Sequence, residues 1–131
     1  MKSETFFLRV DRKHKLRIAL YPTFKAMRKA ACRVDASLRG KSYYGCCTCS
    51  LEAGKEIVGR IFLSHKWCGA GVVAHELLHF LLFWAEEKGW LKNLAAYEEK
   101  MVYFYEQLVR KYWIAFYKLH PEQDISAQRQ E

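Results

Sequence analysis

His75-Glu76-Leu77-Leu78-His79 sets two imidazoles one helical turn apart with a carboxylic acid between them. Residues four apart on a helix share a face, with β-carbons about 6 Å apart, so both rings can reach one metal ion. Glu76, beside the first ring, is then placed to take a proton from a water held by that ion. The run from Val72 to Trp84 carries no charge except Glu76 and contains neither Pro nor Gly. That composition predicts a helix buried on nearly every side. Two histidines and a glutamate are costly in such surroundings unless something partners them.

Other elements must hold this helix. Gly89 suits its C-cap. Beyond it Leu94, Ala95, Met101, Val102, Tyr105, Leu108, Val109, Tyr112 and Phe116 recur at helical spacing, predicting a second helix with Glu98 and Glu99 near its start. Upstream, Tyr43 to Leu51 and Glu56 to Leu63 are rich in β-branched, aromatic and Cys residues, and Glu52-Ala53-Gly54-Lys55 between them reads as a hairpin turn. Phe6 to Val10 and Lys15 to Leu20 read as two more strands around a basic turn, Asp11-Arg12-Lys13-His14. The helix that follows is expected to bury Phe24, Met27, Ala31, Val34 and Leu38 and to turn Lys25, Arg28, Lys29 and Arg33 outward. The expected fold class is α+β: an N-terminal hairpin and helix, a short antiparallel sheet, the motif helix and a long C-terminal helix. A single domain over residues 1–120 follows, with a basic part at 1–41, a metal-site part at 43–117, and a polar tail at 121–131.

With its uncharged flanks, the motif resembles that of the zincin metallopeptidases, over roughly residues 43 to 113. The resemblance implies a zinc ion, Zn2+, on His75 and His79, with a third protein ligand. No His follows until His120, ahead of Pro121, so the branches that use a third histidine fit poorly. Glu86 and Glu87 sit about 10 Å along the same helix from His79 and are set aside on geometry. Gluzincins, the glutamate branch, place the third ligand on a following helix, where Glu98 and Glu99 stand. The apolar stripe through Ala95, Met101, Val102 and Tyr105 favours Glu98. Family spacing favours Glu99, with a polar residue four positions later matched by Tyr103 and a small residue seven later not matched by Glu106.

What the resemblance further implies is a small, zinc-dependent peptidase of the size and organisation of prophage-type HExxH proteins. Glu76 would act as general base on the zinc-bound water and return the proton to the leaving amine. Val58 to Leu63 would be the edge strand that holds an extended peptide substrate. Tyr103, Tyr105 or His120 would serve as electrophilic helper. The alternative is a binding protein that keeps a zincin core without the activity.

Charge bears on that alternative. Residues 1–41 hold twelve Lys and Arg against three Asp and Glu, so the whole excess of the +8 chain is N-terminal. Such a face suits nucleic acid, an acidic protein or an acidic substrate, although no known nucleic-acid motif accompanies it. The N-terminus lacks a signal peptide's apolar core and no run is long enough to span a membrane, so the expected location is the cytoplasm. The five cysteines are then expected to stay reduced. Cys47 and Cys49 should share one face of a strand and Cys46 the other. With Cys68 or His65 they offer donors for a second zinc site, but Cys-x-Cys on a strand is not knuckle spacing, and small buried residues are the expectation. Cys68, just ahead of the motif helix, stands where a helix N-terminus lowers a thiol pKa and could report oxidation or cap the metal, but a passive role is the expectation.

Overall fold

The computed structural model describes residues 2–123. Strands β1 (Glu4–Arg9) and β2 (Lys15–Tyr21) form the expected antiparallel hairpin. Its turn is set by Asp11, whose Oδ1 accepts from the backbone N–H groups of Lys13 and His14 at 2.8 and 2.7 Å. Helix α1 (Phe24–Val34) starts at Thr23, whose hydroxyl accepts from the Ala26 N–H at 3.1 Å, an N-cap bond. Strands β3 (Gly45–Cys49) and β4 (Ile57–Ser64) form the second hairpin, with Gly54 at a φ of 78° in the turn. Of the expected polar tail only one 3-10 turn, Pro121–Gln123, is described; 124–131 lie outside the described residues.

The two hairpins join into one mixed four-stranded sheet of order β1-β2-β4-β3, in which β2 and β4 run parallel. This corrects two expectations: the sheet is not purely antiparallel, and Val58 to Leu63 is a central strand, not an edge. The reason lies in β4 itself. Val58, Ile61 and Leu63 pack into the core on one face and Phe62 into the core on the other. A strand buried on both faces belongs inside a sheet. The open edge beside it is β3.

Helix α1 covers one face of the sheet through Met27 and Ala31, packed on Phe62 and Cys46. Helices α2 (Ala70–Glu87) and α3 (Leu94–Leu119) cover the other through Leu77, Phe80, Leu108 and Tyr112. A β-carbon on Gly59 would stand 2.8 Å from both Leu16 and Phe80, so the absence of a side chain lets α2 seat on the sheet. Gly89, at a φ of 75°, closes α2 as expected, and α3 runs back along it with Trp84 stacked on Phe104 at 6.4 Å. Lys111 Nζ donates to the Arg9 carbonyl at 2.8 Å and ties α3 to the end of β1. No helix of the described residues is long and apolar enough to cross a membrane.

Val34, Arg28, Leu78 and Leu82 depart from the expected burial. Val34 ends α1 in solvent. Arg28 turns inward, its Nε and Nη2 donating to the Tyr43 carbonyl at 3.0 and 2.7 Å, so it anchors the segment that leads into β3. Helix α2 is buried on one side only: Leu78 and Leu82 are 44% and 46% exposed. The sheet and α3 together cover a single face, and nothing among the described residues covers the other.

Candidate metal centre

Within α2, His75, Glu76 and His79 bring their ligand atoms within 4.8 Å of one another. The histidine Nε2 atoms are 3.1 Å apart and both rings are exposed. Two tetrahedral ligands at zinc–nitrogen distances of about 2.0–2.1 Å stand roughly 3.3 Å apart, so the pair fits one ion. Glu76, beside the histidines, is 5% exposed and packed against β3. Gly45 makes that possible: a β-carbon there would lie 3.1 Å from Glu76 Oε2 and from Val72. No hydrogen bond among the described residues engages the Glu76 carboxylate. Burial raises its pKa, opposed by the two neighbouring imidazoles. A carboxyl so placed is a better proton acceptor than an exposed one.

β3 lines the cleft over these residues. Tyr43, Gly45, Cys47 and Cys49 border it opposite His75, Glu76 and His79, in a volume of about 490 Å³. Tyr44, 60% exposed and ringed by Trp67 and Phe24 at 5.6 and 5.5 Å, stands at the lip of an adjoining hollow shared with His75 and Glu76. Burial pushes the Tyr43 hydroxyl up to about 12, with Cys32 and Cys46 adding to the shift. These lining residues had no motif to announce them. Gly45 and Arg28 act only through neighbours brought together by the fold.

The expected third ligand is not in the group. Glu98 and Glu99 lie on the first two turns of α3, where none of residues 94–100 is buried, and neither carboxylate joins the histidines. The three expected helpers are elsewhere as well. Tyr105 donates its hydroxyl to the Ala74 carbonyl at 2.9 Å and so steadies the turn that carries His75. Tyr103 opens on a groove with Val10 and Trp90. His120 belongs to a different cluster, with Glu4 and His65.

The cysteines sort as the strand pattern required. Cys46 is buried on the α1 side, where burial chiefly lifts its thiol to about 11. Cys47 and Cys49 face α2 with their Sγ atoms 3.5 Å apart. Their shared hydrogen bond raises the Cys47 pKa, with burial adding, and lowers that of Cys49. No cysteine joins a metal group with His65 among the described residues. At Cys68 the helix end does not prevail: burial raises its pKa. It precedes Gly69, the N-cap residue of α2, and its surroundings outweigh the helix end.

The chain matches no protein-family model, no curated protein and no solved structure.

Proposed function

We propose that this protein is a small zinc-dependent peptidase of the zincin type, with Glu76 as its general base. The observation that carries the reading is the pairing of two converging imidazole nitrogens with a buried, hydrogen-bond-free carboxylate against an open strand edge. His75 and His79 would hold the ion. Glu99, with Glu98 as the alternative, is the third ligand that the family resemblance suggests; both stand on turns of α3 that no buried side chain fixes. When bound, zinc lowers the pKa of its water towards neutrality and polarises a carbonyl. Glu76 accepts the water proton and delivers it to the leaving amine. β3, with no strand on its outer side, takes the place first given to Val58–Leu63: an extended peptide adds to it beside the histidines.

The test is cleavage of an unstructured peptide library by the zinc-loaded protein, read by mass spectrometry beside Glu76→Gln. Cleavage by the first and none by the second is expected. Zinc content of Glu98→Ala and Glu99→Ala then names the third ligand. Absence of cleavage by the loaded protein sinks the reading.

A second reading has its own observation. Lys25, Lys29 and Arg33 form an exposed basic face on α1, across the sheet from the histidines. A non-catalytic binder of nucleic acid or acidic protein would act there. Its signature is salt-sensitive binding that survives Glu76→Gln and is lost when all three cations are replaced.

A further inference from the structure

A second set of donors meets outside α2's motif. Glu4 opens β1, His65 follows the last residue of β4, and His120 is the C-cap residue of α3. Glu4 Oε1 lies 2.9 Å from His65 Nε2 and Glu4 Oε2 lies 3.0 Å from His120 Nε2. All three ligand atoms fall within 4.8 Å of one another, and all three residues are part-buried.

Hydrogen bonding does not account for this arrangement. Both Nε2 atoms are shielded from solvent, yet neither has a hydrogen-bond partner, despite a carboxylate oxygen about 3 Å away. The N–H directions miss the oxygens. Buried ring nitrogens left in that state are costly. Three donor atoms within 4.8 Å of one another, two of them close to a carboxylate without hydrogen bonding to it, are spaced as ligands of one ion are.

The surroundings hold each donor in place. His65 donates its backbone N–H to the Tyr21 carbonyl at 2.8 Å, and Cys68 Sγ donates to the His65 carbonyl at 3.7 Å. The His120 ring stacks on Phe116 at 4.8 Å, and its backbone N–H caps α3 on the Phe116 carbonyl at 2.9 Å. His120 Nδ1 lies 3.3 Å from Glu122 Oε1. A carboxylate on the far nitrogen fixes the tautomer that leaves Nε2 free to ligate, as in carboxylate–histidine–metal arrangements.

We propose that Glu4, His65 and His120 form a metal site separate from the α2 group, taking a divalent transition ion of the zinc class through two imidazoles and one carboxylate. The ion ties the start of the sheet to the end of α3. His65 also lines an open cleft with Trp113 and Tyr117. This site stands independently of the peptidase reading.

The test starts from a chain carrying His75→Ala and His79→Ala, which removes the α2 group. Incubated with Zn2+ alone and freed of excess by gel filtration, it is expected to retain one zinc per chain by elemental analysis. Adding His120→Ala, or Glu4→Gln in a separate chain, is expected to remove that zinc, with circular dichroism reporting the fold. In the chain with the α2 group intact, His65→Ala is expected to lower the zinc count by one whatever α2 binds. A folded double variant that takes up no zinc, or a count in the intact chain that neither His65→Ala nor His120→Ala changes, overturns the proposal.

Discussion

The two histidine groups are built in opposite ways. His75, Glu76 and His79 come from a little over one turn of α2, so helix geometry alone brings their ligand atoms together. Glu4, His65 and His120 come from the first strand, the loop after β4 and the end of α3, and meet only when the sheet and the last helix have docked. A local group needs tertiary structure to decide its burial and its access; an assembled group needs it to exist. Perturbing the packing should therefore disturb the second group's composition and only the first group's setting.

The strongest check on that contrast is a matched pair of substitutions. Glu76→Gln is expected to slow peptide hydrolysis by about 10²–10⁴-fold, the usual worth of a general base, with zinc content at α2 unchanged. Glu4→Gln is expected to leave the hydrolysis rate as it was. Rates measured on the zinc-loaded proteins decide this, and an equal loss in both variants would make the two groups one functional unit. Next in size is Gly59→Ala, whose new methyl overlaps Leu16 and Phe80. Overpacking of this kind costs about 1–3 kcal/mol, read as a lower denaturant midpoint. The i, i+4 histidine pair should still bind zinc in that variant.

Gly45→Ala acts closer to the chemistry. The added methyl must displace the Glu76 carboxylate by a few tenths of an ångström, and a roughly tenfold drop in turnover is expected without loss of metal, since small misplacements of a reacting group are expensive. Unchanged turnover would mean that Glu76 need not be held where β3 puts it. Arg28→Ala removes both bonds to the Tyr43 carbonyl and should lower stability by about 1 kcal/mol in urea unfolding, loosening the entry to β3 before it affects α2.

The smallest effect concerns pH. Burial raises the Glu76 pKa above the ordinary carboxyl value, so folding disfavours its charged form. The resulting penalty is absent below the ordinary value, grows as pH rises, and is complete above the raised one. In metal-free protein, Glu76→Gln should accordingly raise the melting temperature at neutral pH, and the gain should vanish in acid. A melting temperature that falls at neutral pH would show that the carboxylate is stabilised where it sits.

Much of this molecule was legible from its chain. His75, Glu76 and His79 declare themselves because a helix repeats about every 3.6 residues and their spacing matches it. The two hairpins, the turn at Asp11, the close of α2 at Gly89 and the split of Cys46 from Cys47 and Cys49 follow from equally local rules of period and turn chemistry. Strand order was not local: β4 became central, and β3 the open edge, because a buried strand needs two covered faces and only the packed sheet supplies them. Arg28, Gly45 and Gly59 matter through atoms distant in sequence, which no periodicity encodes. The meeting of Glu4, His65 and His120 belongs wholly to tertiary structure, since three residues carried by separate elements acquire a common centre only through the docking of those elements.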